Sequence, residues 1–456
     1  MKADAIVVGS GQAGVPLAVR LARAGKRVLL AERGELGGTC VNSGCTPTKT
    51  MIASARAAHV ARTAGRLGVR TGPVEVDFAA VADRKDRVVR QWREGVEKRL
   101  RGGGDLLTLL RGQARFTGER RIEIAGETHT ADLVVVNVGA RSAQPPLEGL
   151  ERVPWLDYEK ILQLRELPAQ LLVLGGGYIG CEVGQMFRRF GSEVTIVDAA
   201  PHLLSREDPE ISSALEGVFR GEGIGLELGA GTEKVSGEAG RIALRLAGGK
   251  ELRGSHLLVA TGRKPNTDDL GCDAGGIALD RKGFIVADDE YRTSAAGTYA
   301  VGDVIGQPQF THTAWDDHRI LFDLLMGRRS RSRKSRHIPY TAFTDPQVAG
   351  VGLTEREARQ QGIAYESATM PFEKVARAAE TDEKAGTMKV LLDPETEQVL
   401  GAAIVGAEAG ELIHVFVTLI QAGASARAIV DAEFVHPTFA EGVQSLVMSL
   451  KRYSLS

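Results

Sequence analysis

Two cysteines four residues apart carry the first chemical signal in this chain. The run Gly37-Gly38-Thr39-Cys40-Val41-Asn42-Ser43-Gly44-Cys45-Thr46-Pro47-Thr48-Lys49 places Cys45 at the start of a helical stretch, with Pro47 in its first turn. Proline is tolerated there because the N–H it lacks has no intrahelical partner anyway. A helix N-terminus favours a thiolate over a thiol, and a thiolate is what a dithiol catalyst needs to open a disulfide. Two inert, buried cysteines are the plain alternative; the flanking glycines and the helix start argue against it. A second constellation stands near the far end, His436-Pro437-Thr438-Phe439-Ala440-Glu441. Histidine exchanges protons near neutral pH, and a carboxylate can orient it and raise its basicity. Alone, His436 reads more often as an ordinary loop residue.

These groups need elements to position them, and the chain supplies an internal repeat. Residues 5–8 read as a short buried strand, followed by Gly9-Ser10-Gly11-Gln12-Ala13-Gly14, a helical stretch to about Ala24, and a strand over 27–31 that ends at Glu32. Later the same order recurs: a strand over 171–174, Gly175-Gly176-Gly177-Tyr178-Ile179-Gly180, a helix to about Phe190, and a strand over 193–197 that ends at Asp198. In both copies the acid follows the first glycine by 23 residues. One such glycine motif is weak evidence; two, each between strand and helix and each with its acid, predict two Rossmann-like dinucleotide sites. Backbone N–H groups at the start of the helix after Gly14 would receive pyrophosphate. Glu32 and Asp198 would accept from adenosine ribose hydroxyls, and Asp198 would repel a 2′-phosphate, which favours NADH over NADPH; Arg206 and His202 could offset that repulsion.

Between the repeats, residues 46–64 and 83–101 read as helices, the second half-buried through Val88, Val89, Trp92 and Val96. Strands over 133–138 and 256–260 end at Gly139 and just before Gly262. The basic run over 328–337 reads as a solvated linker rather than a nucleic-acid patch. Beyond it the pattern turns antiparallel, with strands over 389–392 and 399–405, then apolar helices over 411–422 and 439–450.

Composition fits this picture. The chain has 456 residues, 43% hydrophobic and 25% charged, with a formal net charge of −1, so no global charge points to nucleic acid. Four cysteines are too few for a disulfide scaffold, which points to the cytoplasm and to Cys40–Cys45 as a catalytic rather than structural pair. Cys181 and Cys272 read as buried bystanders. No run reaches the roughly 20 apolar residues of a membrane span, and the N-terminus does not read as a signal peptide.

Residues 37–49 match the G-G-T-C-x4-C-x-P-x-K signature of the class I pyridine nucleotide-disulfide oxidoreductases, the family of lipoamide dehydrogenase, glutathione reductase and mercuric reductase, and the resemblance covers essentially the whole chain. It implies an α/β fold with two Rossmann-like dinucleotide-binding domains and a C-terminal α+β dimerisation domain. The segments would be 1–145 and 267–335 for FAD, 146–266 for NAD(P), and 336–456 for the interface. It further implies FAD bound by Gly9, Gly11, Gly14, Glu32, Gly38, Thr39, Lys49, Ala114, Gly139, Asp303 and Thr311. The nicotinamide cofactor would be bound by Gly175, Gly177, Tyr178, Gly180, Asp198 and Gly262, with Tyr178 as an aromatic gate; a packed tyrosine is the plain alternative. Cys40 would be the interchange thiol, Cys45 the charge-transfer thiol, and Lys49 would lie near the flavin and pair with Glu182. His436 and Glu441 would act on the cysteines of the other subunit of a homodimer.

The family's substrates divide on details. Gln12 and Val19 stand where glutathione reductases hold substrate, which disfavours glutathione. The ending Lys451-Arg452-Tyr453-Ser454-Leu455-Ser456 has no cysteine pair of the mercuric reductase kind, and no N-terminal metal-binding module is present. Phe434 replaces the histidine usual in lipoamide dehydrogenases. The reading is therefore an NAD(P)H-dependent oxidoreductase acting on a small-molecule or protein disulfide, lipoamide dehydrogenase-like, with no resident metal and no membrane partner. A mercuric reductase-like metal-ion reductase and an NADH oxidase or transhydrogenase are the alternatives.

Overall fold

The computed structural model describes residues 2–328 and 331–453. The chain folds as two compact units, the first comprising Met1–Thr50, Ala82–Gln144 and Gly262–Arg336, the second Met51–Val81, Pro145–Thr261 and His337–Ser456.

A seven-stranded sheet forms the centre of the first unit. The strands Leu107–Arg111, Val28–Glu32, Lys2–Val8 and Glu127–Val136 run parallel in that spatial order, and Thr298–Ala300 adds in parallel to Glu127–Val136. Arg121–Ile124 and Ala114–Gly118 extend the sheet antiparallel. Val7 lies opposite both Leu30 and Val135. These strands are continuous apolar runs because they are covered on both faces; Ile6, Val7, Leu30, Val134, Val135 and Val136 are fully buried, each such side chain contributing roughly 1.5–3 kcal/mol.

In the second unit four parallel strands, Gly225–Leu228, Glu193–Asp198, Gln170–Leu174 and His256–Val259, repeat the arrangement. A three-stranded antiparallel sheet follows over 232–254. The C-terminal part is a five-stranded antiparallel sheet in the order Tyr340–Ala342, Gln347–Gly352, Val399–Gly406, Thr387–Leu392, Glu366–Pro371. The helices Ala409–Ala422 and Glu441–Met448 pack on it through Phe416, Ile413, Val443 and Leu446.

Two expectations need correcting. In the helix Phe78–Arg101 the buried stripe is Ala82, Lys85, Val89 and Val96, whereas Trp92 is 57% exposed. Lys85 can occupy that stripe because its ammonium pairs with Asp86 at 2.7 Å. The basic run is not wholly a solvated linker. The Arg336 side chain is 6% exposed and pairs with buried Asp317 at 2.8 Å, and Arg331 pairs with Asp316. Arg329 and Ser330 of that run lie outside the described residues.

Candidate active site

The cysteine loop is shaped by backbone that only glycine adopts readily. Gly37 and Gly38 have φ of +102° and +63°. A Cβ on Gly37 would strike the Val41 side chain, and one on Gly38 would lie 2.9 Å from the Gly11 Cα, so the loop sits directly on the first glycine turn. Ser10 accepts from the Gly37 N–H at 3.2 Å, and Gln12 donates to the Gly37 carbonyl at 3.3 Å. Cys40 falls in the short helix Gly38–Asn42, and Cys45 is the first residue of the helix Cys45–Thr63. Thr311 opens another helix, Thr311–Leu325, and its Oγ1 lies 3.0 Å from the Cys45 Sγ. Two helix N-termini thus converge on one sulfur, a setting that favours negative charge.

The Cys40 thiol is pushed well above the ordinary range, first by its hydrogen bond to Cys45 and then by burial; Thr311 and the Lys49 ammonium oppose the rise. The two thiols therefore titrate as a pair, the loss of the first proton making the second harder to remove. The loop between the two sulfurs is held by Arg93, which donates from Nε and Nη2 to Asn42 Oδ1 at 3.1 and 2.9 Å and pairs with Glu35 at 3.2 Å. Nothing in the sequence marked Arg93, because its partners lie more than fifty residues away along the chain.

Both glycine turns follow one plan. Gly9 and Gly175 have φ of +102° and +111°. A side chain on Gly14 or Gly180 would collide with the carbonyl of Gly9 or Gly175 respectively. In the first turn Glu32 accepts from the Ser10 N–H at 2.9 Å; in the second Asp198 accepts from the Gly176 N–H at 2.5 Å and the Ala200 N–H at 2.7 Å. The helices Gly14–Arg23 and Tyr178–Phe190 begin with neither a side-chain cap nor an acid in the first turn. Neither helix start therefore presents a negative side chain that would compete with an external anion such as pyrophosphate, and each turn fits a dinucleotide.

Around the first turn, buried Asn137 donates to the Gly9 carbonyl at 3.4 Å. Gly139 has φ of +69° with open space where a Cβ would stand. Asp303 lies in the 3₁₀ turn Gly302–Ile305 and pairs with Arg263 at 2.7 Å. That turn is anchored by buried Asp317, which accepts from the Gly302 N–H at 2.7 Å and the Tyr291 hydroxyl at 2.8 Å. Ala114 begins its strand, buried, beside Gln113.

In the second unit, Tyr178 is the first residue of its helix, and Glu182, one turn on, accepts from the Phe343 N–H at 2.8 Å. Lys49 lies in the first unit and Glu182 in the second. His436 is 71% exposed, and its Nδ1 lies 2.8 Å from the more buried Glu441 carboxylate. Cys181 and Cys272 are buried, and burial, the largest influence on each, raises both thiols.

Residues 3–317 match the profile described as pyridine nucleotide-disulphide oxidoreductase, and residues 338–447 match its dimerisation domain. The chain belongs to this family. It is 36% identical to a dihydrolipoyl dehydrogenase of Thermus scotoductus, over 99% of this chain and 98% of that protein. It is also 34% identical to a mercuric reductase of Lysinibacillus sphaericus, over 98% of this chain and 83% of that protein. Among solved structures, the HOCl-induced flavoprotein disulfide reductase RclA from Escherichia coli superposes with a TM-score of 0.89 at 33% identity, covering 98% of this chain and 99% of that one. The protein is accordingly an FAD-dependent, NAD(P)H-linked enzyme of the disulfide oxidoreductase class with the family's α/β fold. No described helix is long and apolar enough to cross a membrane.

Proposed function

We infer that this enzyme passes electrons from NADH to a disulfide through Cys40 and Cys45. The observation that carries the reading is the placement of Cys45 at the start of one helix and 3.0 Å from the Thr311 hydroxyl at the start of a second, with Cys40 hydrogen-bonded to it. Bound FAD supplies the two-electron relay between nicotinamide and dithiol. Its pyrophosphate would meet the N–H groups after Gly9, Gly11 and Gly14, its ribose Glu32, and its remaining length Gly38, Thr39, Lys49, Ala114, Gly139, Asp303 and Thr311. Gly175, Gly177, Gly180, Asp198 and Gly262 would hold the nicotinamide cofactor. Asp198 favours NADH, because its carboxylate, already fixed on two backbone N–H groups, faces any 2′-phosphate with like charge.

Cys40 then has to surrender its proton to attack a disulfide sulfur. Its own surroundings hold that proton, so a base is required. His436, exposed and oriented by Glu441, meets the need from the other subunit of a homodimer built on residues 338–447. Attack forms a mixed disulfide and expels one substrate thiolate; Cys45 then displaces the second, leaving Cys40 and Cys45 oxidised and the substrate as two thiols. Lys49 paired with Glu182, the four-segment division at 145, 266 and 335, and a cytoplasmic setting complete the proposal. A thiophilic metal ion as acceptor is the second reading, favoured by the mercuric reductase relatives.

Anaerobic titration with NADH tests the core of this. Uptake of two electrons with a long-wavelength charge-transfer band supports the dithiol circuit, whereas flavin bleaching without that band removes it. A panel of lipoamide, glutathione disulfide, protein disulfides and Hg²⁺ then separates the acceptors.

A further inference from the structure

Tyr178 sits inside a closed ring of contacts that begins and ends in the second glycine turn. Its ring centroid lies 6.0 Å from that of Tyr340, with the planes inclined at 53°. Tyr340 is held on two sides. Its hydroxyl donates to Glu207 Oε2 at 2.6 Å, and its ring occupies the place where a side chain on Gly350 would stand. Glu207 is 4% exposed, and its N–H donates to the Leu204 carbonyl at 2.8 Å. The Leu204 N–H in turn donates to the carbonyl of Gly176, the middle of the turn, at 2.8 Å. The circuit therefore runs from Gly176 through Leu204, Glu207 and Tyr340 to Tyr178, two residues from its origin.

A buried carboxylate–phenol pair is an expensive way to fill space, since an apolar pair of the same shape packs without desolvating a charge. What the pair adds is a fixed position for the Tyr340 ring. Tyr178 is the first residue of the helix Tyr178–Phe190, and rotation about its side-chain bonds is the cheapest way to shift its ring.

We propose that Tyr340, fixed by Glu207, is a positioning residue for nicotinamide binding, a latch that holds the Tyr178 ring at rest and must be left before nicotinamide can seat. The proposal rests on Tyr178 acting as the gate. A latch of this kind lowers the population of the binding-competent gate, and apparent affinity falls by that fraction. Only the nicotinamide end of the cofactor feels it, because the adenosine end meets Asp198 and the glycine turn.

The latch also responds to pH. Burial lifts the Glu207 carboxyl to about 7, Asp208 and Glu357 add to the rise, and Tyr340 and Arg356 oppose it; Tyr178 also faces Glu207, and the Lys389 ammonium neutralises Asp208 at 2.9 Å. Above that pH the ionised carboxylate accepts the Tyr340 hydroxyl strongly. Below it the protonated carboxyl accepts weakly, the latch loosens and nicotinamide binds more tightly.

Isothermal titration calorimetry of oxidised, FAD-loaded protein with NAD⁺ and, separately, with ADP-ribose, which lacks nicotinamide, tests the latch. Tyr340→Phe should tighten NAD⁺ roughly ten- to hundredfold, the scale of one lost hydrogen bond to a charged group, and leave ADP-ribose unchanged. Glu207→Gln should abolish the parent's tighter NAD⁺ binding at pH 6 than at pH 8. Unchanged or weaker NAD⁺ binding in Tyr340→Phe, or equal shifts for the two ligands, overturns the latch. Glu207→Gln keeps a neutral hydrogen bond and serves if the phenylalanine variant does not fold; a persistent pH dependence in it is equally decisive against. Tyr178→Ala separates the two ideas. If it leaves the ratio of NAD⁺ to ADP-ribose affinity untouched, the gate reading falls, whereas a changed ratio there with parental Tyr340→Phe and Glu207→Gln removes Tyr340 alone.

Discussion

Thr311→Val removes one hydroxyl from beside the proposed charge-transfer sulfur and leaves the side-chain shape nearly intact. In the folded enzyme that hydroxyl lies 3.0 Å from the Cys45 Sγ, and it also helps to lower the Cys40 thiol. A hydrogen bond to a charged acceptor contributes about 1.5–3 kcal/mol. At about 1.36 kcal/mol per pKa unit, its loss raises the first thiol ionisation of the reduced pair by roughly one to two units. The sign follows from the charge: the hydroxyl stabilises the thiolate, so without it the thiolate is protonated at higher pH. The assay is the charge-transfer absorbance of the two-electron-reduced enzyme followed down in pH. The parent should keep the band to lower pH than the variant, and Thr311→Ser should restore parental behaviour. An apparent pKa within about 0.3 units of the parent would show that the hydroxyl does not serve the thiolate, and the argument from converging helix N-termini would lose its main support.

Other outcomes follow from the same geometry. His436→Ala should lower disulfide turnover by roughly 10²–10⁴-fold with little change in melting temperature, since the side chain is largely exposed; unchanged steady-state turnover removes it from proton transfer. Asp198→Ala should weaken NADH use more than NADPH use, read as the ratio of kcat/KM values. It should also lower stability, because the Gly176 and Ala200 N–H groups lose their acceptor. Lys389 is 2% exposed and its ammonium meets Asp208, Glu210 and Glu355. Replacing it by Met should destabilise the fold by about 3–5 kcal/mol, the usual result of stranding buried charge; a denaturant midpoint equal to the parent's would contradict this.

What could be read from the sequence was what is local. The glycine turns, their acids and the cysteine loop each occupy one short stretch, and turn geometry dictates residue type within it. The same holds for Cys45 at a helix start and for the hairpin formed by Thr387–Leu392 and Val399–Gly406. Groups that meet across the chain were invisible. Thr311 reaches Cys45 over 266 positions, and Lys389 sits in a strand that reads as apolar while its ammonium ends among carboxylates from two other elements. Trp92 was misplaced because the spacing Val88, Trp92, Val96 mimics a helical stripe. The stripe that is buried includes a lysine, which hydrophobic periodicity scores as surface. Arg336 was misjudged because a buried partner, Asp317, sits nineteen residues upstream.

The interleaving of the first unit bears on how the protein is made. The strand Glu127–Val136 keeps one edge for Thr298–Ala300, which leaves the ribosome more than 160 residues later. During synthesis the whole second dinucleotide motif is released while the first unit still lacks that edge strand and the Asp303 turn beside it. Contacts of such long sequence separation form slowly, and an unpaired strand edge invites aggregation in the interval. A nascent chain halted before residue 298 would carry every residue of the cysteine loop and neither Asp303 nor Thr311, so flavin loading and dithiol function should mature together, late in translation.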